Sequence, residues 1–231
     1  MKAKKEKVQK MFDDISGSYD FLNHFLSFGI DRKWREKLVR LLSEHHPEAI
    51  LDVATGTGDL AIALAVLKPK KIEGIDISEK MLEIAEVKIT GKGLEKMISL
   101  QKGDAEKIPF SDNTFDAITV AFGVRNFEDL ELGLYEMKRV LRPGGIMMIL
   151  EFSHPSLFPM KQLYHFYARF FIPLMGKMIS RHPEAYQYLP DSVAIFPSGK
   201  KFLDILTGLN LNNVRHIPLT MGIASIYIAE K

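Results

Sequence analysis

The chain contains no cysteine. Disulfides, thiolate metal sites and cysteine nucleophiles are thereby excluded, and a reducing compartment such as the cytoplasm is the expected setting. No uncharged apolar run approaches the roughly 18 residues that a bilayer span needs, so no transmembrane segment is expected. An excess of one charge is missing as well, since 31 Lys and Arg face 29 Asp and Glu. A nucleic-acid partner, which usually requires a strongly basic face, is not expected. The opening MKAKKEKVQK has no apolar stretch after its lysines, so it does not read as a secretory signal. What is present is ordinary for a folded protein: 231 residues, 46% of them apolar, enough for one domain with a full core.

Hydrophobic periodicity orders the elements. Residues 4–45 read as helical, with breaks near Gly17 and around Phe28–Asp31, and form an amino-terminal cap over about residues 1–46. Ala49 to Ala54 is a short apolar run suited to a buried parallel strand. Further strands are expected at Lys71–Asp76, Met97–Lys102, Phe115–Ala121 and Ile146–Phe152, the last fed by a turn at Pro143-Gly-Gly145. Helices are expected at Leu60–Leu67, Glu79–Ile89 and Leu130–Val140. Strands alternating with helices predict a parallel sheet covered on both faces. Asn213–Pro218 and Ile223–Ala229 are too close for a helical crossover, so a hairpin and an antiparallel last strand are predicted. The fold class is therefore α/β, a Rossmann-like, seven-stranded, mostly parallel sheet. Residues 154–200 fit no strand–helix unit. Apolar residues from Met160 to Met178 recur there at helical spacing, Pro173 is expected to kink the helix, and the segment reads as a lid or as core.

Gly56-Thr57-Gly58-Asp-Leu-Ala61 has the form G-x-G-x-x-A where the first strand gives way to a helix. Glycine permits the tight turn and lets a ligand approach the backbone. Asp76, at the end of the second strand, is placed to accept hydrogen bonds from two ribose hydroxyls, with Ile77 beside it. Loop and acid together also fit a dinucleotide enzyme. Asp104 and Ala105, closing the third strand, suit an adenine ring and its amino group. Asp52, just before the loop, is placed to hold an amino end, and Ala121 closes the fourth strand nearby. A cationic sulfonium with an ammonium suits several carboxylates, whereas a pyrophosphate does not. The expected cofactor is S-adenosylmethionine, with no metal.

Val53-Ala-Thr-Gly-Thr-Gly-Asp59 with Asp76 and Gly103-Asp104 resembles the class I methyltransferase superfamily. Tyr19-Asp-Phe-Leu-Asn23 through Trp34, Phe122-Gly-Val-Arg-Asn126, and Arg139-Val-Leu-Arg-Pro-Gly-Gly145 through Ser153 resemble the ubiquinone/menaquinone biosynthesis C-methyltransferases. The likeness runs from about residue 8 to the end. The chain departs from that pattern at Leu22, Arg142 and Asp31, the last inverting a charge where the family usually has His, and at Ala121, often a small hydroxyl residue.

The resemblance implies methyl transfer to a ring carbon of a polyprenyl quinol, demethylmenaquinol or a benzoquinol. Other small hydrophobic acceptors and donor binding without turnover remain open alternatives. Arg125 is the candidate to stabilise a developing phenolate, with Asn126 orienting the ring oxygen. An ion pair of Arg125 with Glu128 or Asp129 is the competing structural assignment. Tyr19 is a third catalytic candidate or a buried aromatic with a satisfied hydroxyl, and His154 is a reserve candidate or a turn residue. The apolar lid, flanked by Lys161, Arg169 and Lys177, suits peripheral contact with the inner face of a membrane. The oligomeric state stays open, a homodimer included.

Overall fold

The computed structural model describes residues 4–155, 158–167, 169 and 183–231. Two helices open the chain, α1 at Lys4–Leu26 and α2 at Ile30–Ser43. Then β1 (Ala49–Val53), α3 (Asp59–Leu64), β2 (Lys71–Asp76), α4 (Glu79–Thr90), β3 (Ile98–Lys102), β4 (Phe115–Ala121) and α5 (Leu130–Val140) alternate. β5 (Leu141–Phe152) is followed by α6 (Met160–Phe166), α7 (Pro183–Ile195), α8 (Lys200–Gly208), β6 (Asn212–Leu219) and β7 (Ala224–Glu230).

The seven strands form one sheet in the order β3-β2-β1-β4-β5-β7-β6. β1 pairs parallel with both β2 and β4, and β7 runs antiparallel between β5 and β6. The chain moves outward from β1 to β3, then returns to place β4 on the other side of β1. That switch point opens a crevice at the carboxyl ends of β1 and β4, where open α/β sheets bind ligands. Every residue of β1 is buried, as expected for a central parallel strand covered on both faces. On one face, Leu51, Val53 and Ile118 pack with Met137 of α5 and Phe202 and Leu206 of α8. On the other, Ile50, Met148 and Ile226 pack with Trp34, Leu38 and Leu42 of α2 and Leu64 of α3.

Several boundaries differ from expectation, and three of the differences have a local reason. α1 runs unbroken through Gly17, where an added Cβ would meet nothing. Glycine inside a helix costs only about 1 kcal/mol, and contacts of Asp13 and Asp20 on either side hold the helix in place. The break comes later, where Phe28 (φ 52°) and Gly29 (φ 71°) turn left-handed before α2. Pro143-Gly-Gly145 does not precede β5 but lies inside it, at a register shift against β4 between Phe115 and Ala117. β1 stops one residue early because Ala54 is left-handed at φ 51°.

Of the stripe at 160–178, Met160, Leu163, Tyr164 and Tyr167 line one cavity. Phe170, Phe171, Leu174, Met175, Lys177, Met178 and Pro173 lie outside the described residues.

Candidate active site

The turn after β1 builds a cradle from backbone. Gly56 and Gly58 adopt φ 57° and 79°, conformations in which glycine carries no steric penalty. Thr55 N–H donates to Ile75 O at 3.0 Å, and Gly58 N–H to Thr55 O at 3.0 Å. Asp76 then locks the turn from the neighbouring strand, accepting from Gly56 N–H at 2.8 Å and from Ser78 N–H at 2.9 Å. Burial pushes the Asp76 carboxyl up, opposed by those backbone donors. An added Cβ on Gly56 would meet open space, so the backbone there faces the cleft. Gly58 is not among the residues lining the clefts; its Cβ position lies 3.0 Å from Ala85 Cβ, so it sets the packing of α3 on α4.

Gly56, Asp76, Ile77, Asp104, Ala105 and Ala121 line one cleft together, joined by Asn126. Asp104 accepts from its own turn at Glu106 N–H, 2.9 Å, and from Lys5 Nζ at 2.6 Å. A smaller recess continues from it, lined by Asp52, Thr57 and Ala121. Asp52 is 1% exposed and accepts from Thr55 Oγ1 at 2.6 Å and Thr119 Oγ1 at 2.7 Å. Burial outweighs these two donors and pushes its carboxyl up to about 6. Buried, acid-lined and fed by two hydroxyls, this recess favours a cation.

α1 lies across both. Val8, Phe12 and Tyr19 form part of the cleft wall, and polar contacts pin the helix along its length. Lys5 pairs with Asp104 and Glu106, Ser78 Oγ donates to Asp13 at 2.5 Å, and Thr57 Oγ1 donates to Asp20 at 2.5 Å. Lys88 of α4 bridges Asp20, at 2.9 Å, and Asp59. Asp31 is buried among its partners, accepting from Arg35 at 2.6 Å, Ser27 at 2.6 Å and His24 Nδ1 at 2.7 Å. Although burial opposes it, Ser27, Arg35 and His24 hold the Asp31 carboxyl below its ordinary range. The acid at position 31 thus anchors the α1–α2 junction.

Beside the cleft, and sharing Phe12, Tyr19 and Phe122 with it, is an apolar cavity of about 290 Å³. Its walls come from α1, α2, α6 and α7, and Arg125 faces it. Arg125 is buried in a short turn after β4 and pairs with Glu151 of β5 at 2.8 Å, Nη1 to Oε1. Glu128 and Asp129, the partners of the competing structural assignment, are engaged elsewhere: Glu128 accepts from Lys4 N–H and Asp129 caps α5. The Arg125 guanidinium also donates to Phe122 O and lies 5.4 Å from the Phe152 ring centre.

Asn126 connects the two spaces. It lines the cleft while its Oδ1 accepts from Tyr188 OH of α7, 3.0 Å away, and Tyr188 lines the cavity. Tyr19 lines the cleft, the recess and the cavity alike. Burial pushes its phenol up, opposed first by Arg125 and then by a hydrogen bond with Asn23. His154 is spent on structure, its Nε2 lying 2.9 Å from Val193 O. Sequence reasoning missed Glu151, Tyr188 and Arg35. For Glu151 a signal existed, a lone acid in the apolar run of β5; for Tyr188 and Arg35 there was none.

Four similarities bear on this arrangement. The model of the ubiE/COQ5 methyltransferase family matches residues 1–231. A demethylmenaquinone methyltransferase of Bacteroides fragilis is 47% identical over 229 residues, covering 99% of this chain and 94% of the relative. A ubiquinone/menaquinone biosynthesis C-methyltransferase UbiE of Geotalea uraniireducens is 47% identical over 230 residues, covering 99% and 97%. Among solved structures, a SAM-dependent methyltransferase of Thermotoga maritima superposes with a TM-score of 0.67 at 19% identity, covering 96% of this chain and 99% of that one. That last likeness concerns the fold alone.

Proposed function

Because the chain belongs to the ubiE/COQ5 methyltransferase family and is an S-adenosylmethionine-dependent methyltransferase, we propose that it methylates a ring carbon of a polyprenyl quinol, with demethylmenaquinol as the acceptor. The observation that carries this reading is the meeting of an acid-lined cleft with an apolar cavity across Phe12, Tyr19 and Phe122, with Arg125 facing the cavity. The names of the relatives point the same way.

The residues present fit the donor. Open space above Gly56 admits a ligand against the backbone, and the Asp76 carboxylate keeps lone pairs for ribose hydroxyls beside its two backbone donors. Ile77, Ala105 and Asp104 would border the adenine. Asp52, in the recess, would face the cationic end. When bound, S-adenosylmethionine supplies an electrophilic methyl group, so the protein needs neither a metal nor a covalent intermediate.

The work left to the chain is to orient the acceptor, exclude water and favour its phenolate. A guanidinium is a hydrogen-bond donor with no acceptor site, so Arg125 acts by stabilising negative charge on the ring oxygen rather than by accepting a proton. Asn126, oriented by Tyr188, is placed to position that oxygen. Tyr19 closes the junction between the two spaces, and the α6–α7 lid shields the reacting carbon. Holding both partners in one arrangement lowers the entropic part of the barrier.

A greasy acceptor must be drawn from a membrane. No described helix is long and apolar enough to cross one. Near the cavity, however, Phe158, Phe28 and Phe166 are 82%, 71% and 64% exposed, with Lys161 and Arg169 exposed alongside. This supports peripheral contact of the lid face with an anionic surface. The balanced charge of the chain offers no support for a nucleic-acid partner.

The decisive assay measures methyl transfer to reduced demethylmenaquinone beside a benzoquinol analogue. Turnover of the naphthoquinol is expected. Turnover of the benzoquinol alone would move the assignment to ubiquinone chemistry, and turnover of neither would refute it. Flotation with anionic liposomes tests the membrane contact, which fails if no protein rises at low salt.

A further inference from the structure

Arg125 is oriented by a carboxylate that has no solvent contact. Glu151 is 0% exposed, next to the last residue of β5 and directly after its apolar run Ile146–Leu150. It accepts from Arg125 Nη1 at 2.8 Å, from Phe152 N–H at 2.8 Å and from Arg125 N–H at 3.3 Å. A buried ion pair is a poor device for stability, because the desolvation of two charges consumes most of their attraction. Two well-packed apolar residues would hold β5 against the turn at 124–126 at least as well. Its position gives the pair another use. Arg125 faces the acceptor cavity, its Nε is buried with no hydrogen-bond partner among the described residues, and its guanidinium is fixed by Glu151, Phe122 O and the Phe152 ring.

We propose that Glu151 is the positioning residue of the reaction: ionised, it holds the Arg125 guanidinium toward the acceptor, and protonated, it lets that orientation go. This rests on the reading of Arg125 as the group that stabilises the phenolate. Glu151 needs no contact with either substrate; it acts through the arginine.

The surroundings make the carboxylate responsive in an accessible range. The ionisable groups facing it are Arg125 from the turn after β4, Tyr164 from α6, Tyr188 from α7 and Tyr227 from β7. Of these Arg125 alone is cationic. Burial pushes the Glu151 carboxyl above its ordinary value, and the arginine and two backbone donors only partly offset this. On lowering the pH, Glu151 therefore takes up its proton before an exposed glutamate would, and turnover should fall with it.

The test is the pH profile of kcat, with donor and quinol both saturating, in the full-length protein and in Glu151→Gln. The amide keeps the shape and the acceptor oxygen but cannot titrate. The expected result is a kcat lower on the order of 10- to 100-fold, loss of the acid limb, and unchanged donor affinity. A variant with the parent kcat, or with the parent acid limb, overturns the proposal. Should Glu151→Gln fail to fold, Arg125→Gln is compared with Arg125→Gln/Glu151→Gln, a double variant with no unpaired buried charge. If Glu151 acts only through the arginine, both turn over equally, and a further loss in the double variant overturns the proposal. Parent-like turnover in Arg125→Gln would instead sink the phenolate reading itself. Impaired Arg125→Gln with unaffected Glu151→Gln would sink the Glu151 role alone.

Discussion

The hydroxyl of Thr57 donates to the carboxylate of Asp20 at 2.5 Å, joining the glycine loop after β1 to helix α1 across 37 positions of sequence. Lys88 Nζ approaches the same pair, 2.9 Å from Asp20 and 3.3 Å from Thr57 Oγ1. The loop that borders the acid-lined cleft and the helix that lies over it are thus one hydrogen-bonded unit. Asp20→Ala removes the acceptor for both donors and loosens α1 over the cleft. Because the residues are partly exposed, the effect is moderate. Isothermal titration should show donor affinity weakened about three- to tenfold, in line with losing a charge-assisted hydrogen bond near a surface. Unchanged affinity would mean that α1 plays no part in holding the donor.

Asp52 sets a pH dependence with a definite sign. Its folded-state value of about 6 lies above the ordinary 3.8. The neutral form is therefore favoured on folding, and the associated stability, about 3 kcal/mol to order of magnitude, is present below pH 4 and lost as pH rises to 6. A bound cation reverses the preference, because it favours the ionised carboxylate. Donor affinity should be flat above pH 6 and fall as pH drops from 6 toward 5, with proton release on binding in that window. Asp52→Asn should flatten the profile. Calorimetry in buffers of different ionisation enthalpy would detect the released proton, and its absence at pH 5.5 would remove Asp52 from the donor site.

Arg125→Ala should lower kcat by about 10²- to 10³-fold, the usual cost of deleting one preorganised donor, while donor binding stays within about twofold. It also strands Glu151 without a counter-charge at 0% exposure. Thermal unfolding near pH 8 should accordingly show a loss of about 3 kcal/mol, shrinking as the pH is lowered, because burial favours uptake of a proton by Glu151. Normal turnover with intact donor binding would refute the electrostatic role.

Tyr188→Phe keeps the ring in the cavity wall and deletes the 3.0 Å hydrogen bond to Asn126. One net hydrogen bond is worth about 1 kcal/mol, so KM for the quinol should rise about fivefold, with donor affinity unaltered. Steady-state kinetics with each substrate varied separately decides it. A change confined to the donor would place the Tyr188–Asn126 link on the other side of the junction.

Much of the fold was legible because its central strands are buried on both faces. Ala49–Val53 and Phe115–Ala121 read as mostly apolar runs, broken only by Asp52, Asp116 and Thr119, and each ends at a left-handed residue, Ala54 or Phe122. Asp76 was legible from its distance to Gly56, since a strand, turn and helix of standard length bring those positions together. The misreading at Gly17 arose because a local propensity of about 1 kcal/mol was weighed without the tertiary contacts that override it. The structural alternative for Arg125 paired it with Glu128 or Asp129 nearby. The true partner, Glu151, lies 26 residues away on the adjacent strand, and nothing in local sequence specifies which cross-strand charge a buried arginine will choose.

Sequence by itself determined the alternation of strands and helices, the glycine turn with its acid, and the kinship that names the chemistry, because these depend on backbone preference and short-range pattern. Only the tertiary structure decided that α1 is stapled over the acid-lined cleft, that Asp31 is a buried anchor, and that Arg125 is held by Glu151 while Asn126 is held by Tyr188. Those pairings join residues from separate elements. They follow from the packing of helices against the sheet and from the requirement that each charge taken out of water find a partner within about 3 Å.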